Sequence, residues 1–574
     1  VRPTADSAGR PAVIGRARVA SRAGRAAALV GLALLSSLFL SASAPAKLDF
    51  WTAPDAASLV GLMSDEEVLG QVFMMAYPGD EPGPAIIDWI DRRSLGGVKI
   101  FGWNADDSTK LAGAIAKIQG AATGSRLGIP LLVATDQEGG WIRHVKGATS
   151  VTPGNMAIGA SGRPYDAYRS AFLIGRELAA LGVNMNFAPS VDLATKPRSY
   201  IIGPRAFSDD PWTVAALGSA YARGLADAGV IATAKHFPGH GGTEEDSHGV
   251  LPVIRIDEKT LWERELLPFR VLAAEGVPAV MSGHLSFPLL SDGEPASLSP
   301  YFMTKLLRGK IGFKGLAVTD DLAMNGADES AGSIGEACVR ALEAGNDLLM
   351  LSRLIQVDDP AWRRLLAAYR GSAPFRARAR EAATRVVETK MKYLRPKGRS
   401  AMSPDLAALG SRVPDPEAAG FFADQAYRSV TSLRPDALPF APVGRLLVAG
   451  PFADFEEEAR SAYPAAKSFR FSFRPEAAAL RSELASFDSA LAAADEVLVC
   501  VPNEAGMDFA LRAHVAGKRV AILSAQSPAP LSRAPWAQAA VAVYSYSRES
   551  LRAGLAVLTG KEEAQGVLPL RLPK

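Results

Sequence analysis

Short apolar runs rich in β-formers recur through residues 50–395, separated by stretches with the i, i+3, i+4 spacing of amphipathic helices. Eight such runs stand out, at 71–77, 97–102, 130–136, 183–189, 231–237, 279–285, 315–320 and 347–352. Helical patterns lie between them, for example at 167–181, 215–228, 262–275 and 333–344. Strands covered on both faces lose the polar alternation of a half-exposed sheet, and Leu131-Leu132-Val133 and Leu348-Leu349-Met350-Leu351 read in that way. The pattern predicts an α/β chain whose first domain, residues 47–395, is a TIM-type (β/α)8 barrel. A last helix over 375–394 stops at Pro396, and a Pro-, Gly- and Ser-containing linker fills 396–415. Residues 416–574 begin a smaller α/β module with strands at 444–450, 496–501, 519–524 and 540–546 and a helix at 475–491, an α/β sandwich built on an open sheet. No Gly-rich phosphate loop follows those strands, which argues against a nucleotide site, and no internal repeat points to a solenoid.

A chain of 574 residues exceeds what one hydrophobic core supports, in agreement with two domains. Hydrophobic residues at 48% and charged residues at 21% exclude a disordered chain and a polytopic membrane protein. The formal charge of +3 misleads, because residues 1–46 carry six arginines against Asp6, a local +5 that leaves the remainder at −2. A near-neutral body gives no electrostatic footprint for nucleic acid. The arginines precede an apolar run at 26–40 and the small residues Ser41-Ala42-Ser43-Ala44-Pro45-Ala46, so residues 1–46 are expected to be a cleaved signal peptide. The expected location is periplasmic or extracellular, with no stable membrane insertion after cleavage; an uncleaved segment would anchor the chain instead. No cysteine follows the apolar run to carry a lipid, and Cys338 and Cys500 do not make a disulfide framework. A monomer is expected.

Three of the six histidines fall in Lys235-His236-Phe237-Pro238-Gly239-His240 and Asp246-Ser247-His248. Pro238 and the glycines break regular structure, so these side chains sit on a loop leaving the fifth strand. Asp246 stands two residues from His248, where a carboxylate can fix the imidazole tautomer and raise its basicity, making His248 a candidate acid/base. In a barrel of this type the reactive groups gather at the C-terminal strand ends. Those ends carry Asp136 and Glu138 (strand three), Asp192 (four), Lys235 and His236 (five), His284 (six), Thr319 and Asp320 (seven) and Ser352 (eight). So many ionisable groups at buried strand ends cost desolvation unless they serve one another or a ligand. Asp320, closing Leu316-Ala317-Val318-Thr319, can act as nucleophile, base or metal ligand, whereas Asp321 is expected to cap the following helix. A metal held by His236, His240, Asp246 and His248 is disfavoured, since their spacing fits no helix-based zinc motif; His240 is expected to brace the loop through backbone carbonyls.

Four stretches, Asp136-Gln137-Glu138-Gly139-Gly140, Gly203-Pro204-Arg205-Ala206-Phe207, Lys235 through His248, and Val318-Thr319-Asp320, resemble glycoside hydrolase family 3. Within it they are most similar to the β-N-acetylglucosaminidases that act on peptidoglycan fragments. The resemblance implies a retaining exo-hydrolase without cofactor. Asp320 would attack the anomeric carbon to form a glycosyl-aspartate, and His248, oriented by Asp246, would serve as acid/base. It also implies that Asp136, Arg205, Lys235 and His236 bind sugar hydroxyls of a small carbohydrate or muropeptide. The chain departs from the family after strand three. The position of a sugar-binding arginine is occupied by His144, with Arg143 one residue earlier, so both are candidate substrate contacts. A family 3 β-glucosidase using Glu504 as acid, an N-acetylglucosaminide phosphorylase, and a glycan-binding protein without activity are the competing readings.

Overall fold

The computed structural model describes residues 49–572 apart from residue 248. The leader expected over residues 1–46 lies outside the described residues. Each of the eight apolar runs contains a strand: β1 Phe73–Met75, β2 Gly97–Ile100, β3 Leu132–Thr135, β4 Met185–Asn186, β5 Ile231–Phe237, β6 Ala279–Ser282, β7 Leu316–Thr319 and β8 Leu349–Leu351. They pair in parallel and in chain order from β1 to β7, and β8 pairs with β1, Leu349 opposite Phe73. A parallel bridge between Val318 and Leu348 joins β7 to β8, so the sheet closes into the expected (β/α)8 barrel.

Alternation along each strand decides what the barrel contains. Leu132, Ala134, Met185, Ile231, Met281, Leu316, Val318 and Met350 form one buried cluster inside it. The same inward parity, continued toward the C-terminal ends, reaches Asp136 after Leu132 and Ala134, Lys235 after Ile231, and Asp320 after Leu316 and Val318. Outward residues meet the helices: the Phe73 ring lies 6.2 Å from those of Trp89 and Trp362, on the helices Pro84–Arg93 and Pro360–Gly371. Just ahead of β8, fully buried Asp347 accepts from Arg308 (2.5 Å), Arg378 (2.8 Å), Arg385 (2.5 Å) and the Ala317 N–H (2.9 Å). This ion cluster ties β7 and β8 to the helix Ala373–Tyr393 at the end remote from the polar strand ends.

The second sheet contains β9 Thr431–Ser432, β10 Leu446–Gly450, β11 Lys467–Arg470, β12 Glu496–Val501, β13 Arg519–Ser524 and β14 Ala539–Ala542, in the order β9-β14-β13-β12-β10-β11. All neighbours are parallel except β9 with β14. The chain runs outward from β10 to β11, then returns to place β12 on the other flank of β10, so the winding direction reverses between β10 and β12. Neither β9 nor β11 is legible as a strand: β9 has two residues and β11 is largely solvent-exposed. The module packs on the barrel through a shared core in which Met156, Ala157 and Ile202 meet Val499 and Ile522. Arg428 adds an ion pair to Asp166 (2.8 Å), and Ser208 donates to the Pro569 carbonyl (2.6 Å). Cys338 and Cys500 are both free and buried.

Candidate active site

Lys235 stands at the centre of the polar mouth. Its Nζ lies 2.5 Å from Asp136 Oδ1 and 2.6 Å from Glu138 Oε1. The second Asp136 oxygen receives Lys99 Nζ at 2.8 Å; this lysine points into the barrel from β2 and is fully buried. Arg205, held by the turn Gly203–Arg205, grips Glu138 through two nitrogens at 3.0 and 2.8 Å. Three carboxylates, Asp136, Glu138 and Asp192, thus stand beside three basic side chains, Lys99, Lys235 and Arg205. Such buried charges persist only when this fully paired. Burial by itself would raise Asp136, but Lys235 and Lys99 outweigh it and hold its carboxyl well below the usual range. Glu138 is lowered in the same way by Arg205 and Lys235, and the Lys235 ammonium is raised against its burial by Asp136 and Glu138.

The two histidines of this cluster have defined tautomers. Arg205 has only donors, so its Nη2 at 3.2 Å makes His236 Nε2 an acceptor and places the proton on Nδ1, which donates to Asp192 Oδ2 at 2.6 Å. Asp192 also accepts from Ser190 Oγ (3.0 Å) and from the His240 N–H (2.7 Å). On the other side Lys99 Nζ, which also donates to the Ile100 carbonyl, lies 3.2 Å from His144 Nδ1; the His144 proton therefore sits on Nε2. Lys235–His236 and Phe237–Pro238 are cis peptides.

Asp320 closes β7 on the strand opposite β3, partly exposed at the mouth. Its backbone N–H is anchored on the Ser282 carbonyl (2.9 Å), and its Oδ1 accepts the Asp321 N–H (2.8 Å). Burial acts to raise its carboxyl, but His236, His284 and the Asp321 N–H more than offset this, so it stays ionised into acid solution. His284 is a satisfied interior histidine: Nε2 donates to the Asp321 carbonyl (2.9 Å) and Nδ1 faces Ser297 Oγ (2.7 Å).

Three expectations need correction or restriction. Asp321 does not cap the next helix, whose N-cap is Met324; its Oδ1 instead accepts from Ala323 and Ser352, tying the ends of β7 and β8 together. His240 braces the loop through its backbone N–H alone, for neither ring nitrogen has a partner among the described residues. The Arg143 guanidinium is turned into its own loop, on the Lys146 and Thr149 carbonyls, while His144 faces Lys99 and lies 3.7 Å from Asp136. Asp246 is partly buried on the loop beyond β5, and His248 lies outside the described residues. Among the described residues no group of three or more His, Cys, Asp and Glu side chains is arranged to hold a metal. Lys99 escaped the sequence reading. It lies within β2 opposite inward-facing Ala134, a register that only the structure discloses.

Burial lowers both His240 and His144 to about 4. An unfolded histidine titrates near 6.5, so their contribution to stability is complete above about pH 6.5 and is lost as pH falls toward 4. For His240 the loss amounts to about 3 kcal/mol. His240→Leu, which removes two ring nitrogens without a partner among the described residues, is expected to flatten the fall in urea midpoint over that window; an unchanged pH profile would exclude His240 as its source.

The family model for the glycosyl hydrolase family 3 N-terminal domain matches residues 65–388. The chain is 34% identical to a β-hexosaminidase A from Pseudoalteromonas piscicida over 337 residues, which cover 53% of this chain and 56% of that one, little more than half its length. It is 37% identical over 280 residues to a β-hexosaminidase from Xylella fastidiosa (strain M23), covering 48% of this chain and 81% of the relative. Among solved structures, a glycoside hydrolase family 3 β-N-acetylglucosaminidase from Paenibacillus sp. str. FPU-7 superposes with a TM-score of 0.81 at 31% identity, covering 89% of this chain and 99% of the other.

Proposed function

The chain belongs to glycosyl hydrolase family 3, and from that membership we propose that it is a retaining exo-β-N-acetylglucosaminidase releasing N-acetylglucosamine from peptidoglycan fragments. The observation that carries the reading is Asp320: an inward-facing, ionised carboxylate at the barrel mouth, across from a fully paired cluster of charged groups. In the proposed reaction Asp320 attacks the anomeric carbon as the glycosidic C–O bond breaks, giving a glycosyl ester. His248, with Asp246 two residues before it, donates the proton that the leaving oxygen takes up, then removes one from the water that hydrolyses the ester. Asp136, Lys235, Arg205 and His236 bind the hydroxyls of the sugar, and the ion pairs among them keep these groups oriented before substrate arrives. We assign the barrel to residues 47–395, a linker to 396–415 and the second domain to 416–574, with residues 1–46 as an export signal.

The test is product analysis with 4-nitrophenyl β-N-acetylglucosaminide and the matching β-glucoside, each with and without phosphate. The amino sugar is expected to turn over faster by about two orders of magnitude, giving free N-acetylglucosamine in both buffers. Equal rates on the glucoside would overturn the amino-sugar assignment, and a sugar phosphate as product would replace hydrolysis by phosphorolysis.

A further inference from the structure

Lys99 and His144 form a unit at the barrel mouth. Lys99 is fully buried on β2, and its ammonium has three N–H groups to place. Asp136 Oδ2 takes one at 2.8 Å, the Ile100 carbonyl a second at 2.9 Å and His144 Nδ1 the third at 3.2 Å. No donor is left for a ligand. Lys235 differs, for its ammonium meets two acceptors among the described residues, Asp136 and Glu138, and keeps one N–H in hand. His144 is held on its other sides as well. Its backbone N–H donates to the Asp136 carbonyl (3.1 Å), its ring stacks on Phe101 with centroids 5.5 Å apart, and Phe101 stacks in turn on Trp103 at 4.4 Å. The Trp103 indole N–H is tied to the Tyr77 carbonyl (3.1 Å).

We propose that Lys99 is a positioning residue that locks His144 with its proton on Nε2, so that this ring offers the bound sugar a neutral donor and nothing else. An Nδ1–H would set donor against donor at the ammonium, and an imidazolium would add a second cation 3.2 Å from the first. Both alternatives lose the contact that the present tautomer makes. Nε2 is then the one polar atom of the ring left over: the side chain is 30% exposed at the mouth, and this nitrogen has no partner among the described residues. Burial, reinforced by the Lys99 charge, lowers the ring to about 4, in keeping with a neutral group in neutral solution. A sugar hydroxyl both donates and accepts. Asp136 accepts only, whereas His144, 3.7 Å from it, donates only, so the pair fixes the direction of the bonds that one hydroxyl makes. The lock stands on the distances; the sugar contact rests on the reading under Proposed function.

The test is the nitrogen NMR spectrum of the histidine side chains in the isotope-labelled full-length chain, with the His144 signals assigned by their loss in His144→Gln. At neutral pH wild type is expected to show a protonated Nε2 and a bare Nδ1 at His144. Lys99→Met is expected to shift the proton toward Nδ1, where Asp136 Oδ2, 3.7 Å away, becomes available to accept it. Turnover of 4-nitrophenyl β-N-acetylglucosaminide reads the sugar contact. His144→Phe is expected to raise KM about three- to tenfold, and His144→Gln, whose amide nitrogen reaches the Nε2 position, to recover most of that loss. A wild-type proton on Nδ1, or an unchanged spectrum in Lys99→Met, would overturn the lock, and an unmoved KM in His144→Phe would overturn the contact. The wild-type spectrum needs neither a variant nor turnover, so it decides the lock even where Lys99→Met fails to fold. A chain without hydrolase activity would sink the functional reading and leave the lock standing, so the two can fail independently.

Discussion

Asp320→Asn is expected to lower kcat for β-N-acetylglucosaminide hydrolysis by on the order of 10⁴-fold, with little change in thermal midpoint. The amide keeps an oxygen for the Asp321 N–H, and the backbone anchor on Ser282 is untouched, so the local fold has no reason to move. What disappears is the ability to form and release an ester at the anomeric carbon. Asp320→Gly refines the result, because the vacated space admits azide. Azide attack on the anomeric carbon, with departure of the aglycone, is expected to yield an α-glycosyl azide from a β-glycoside. More than about 1% residual activity in Asp320→Asn, or azide rescue without that product, would remove Asp320 from the nucleophile position. Because the wild-type carboxyl lies below its ordinary range, Asp320 is not expected to set an acid limb of kcat/KM above about pH 4; a limb measured there would belong to a group of higher pKa.

The barrel is legible in the sequence because strands buried on both faces leave continuous apolar runs, and all eight observed strands fall within them. Lys235, Asp136 and Asp320 are legible because each breaks such a run at its C-terminal end. Lys99 is not, since it lies within a strand and a single lysine in a sequence does not disclose whether it turns inward. In the second domain β10, β12 and β13 carry apolar cores, whereas β11, Lys-Ser-Phe-Arg at an exposed edge, has no pattern to read. The crevice lined by Trp141, Tyr200 and Arg474, where barrel loops face the second domain, has no signal in one dimension. Trp141, Tyr200 and Arg474 belong to separate loops that meet only because the shared core around Met156, Ile202 and Val499 docks one domain on the other.

Lys235→Met is expected to have the largest effect on stability, a loss of about 3–5 kcal/mol at neutral pH, together with loss of activity. The side chains are of similar length, so packing is nearly conserved and the charge is what goes. Asp136 would keep Lys99 and Glu138 would keep Arg205, but each would lose a contact of 2.5–2.6 Å in a site with little water to replace it. Both carboxyls now lie below their ordinary values, so the stability they contribute is present above about pH 4 and is lost as pH falls through the lowered native values. The Lys235 ammonium is raised, so its own contribution holds below about pH 10.4 and is lost as pH rises beyond it. Removing the lysine therefore removes stability mainly between these limits. Urea unfolding at pH 7 and at about pH 2.5 is expected to show a wide gap between wild type and variant at pH 7 that narrows at the lower pH, where the native carboxyls begin to take up protons. An equal gap at both values would assign the loss to packing instead. Lys235→Arg restores the charge but not the compact ammonium that bridges the two oxygens, and is expected to recover part of the stability with little of the activity. Separating the two losses in this way would identify the lysine as both the electrostatic centre of the cluster and a contact to the sugar.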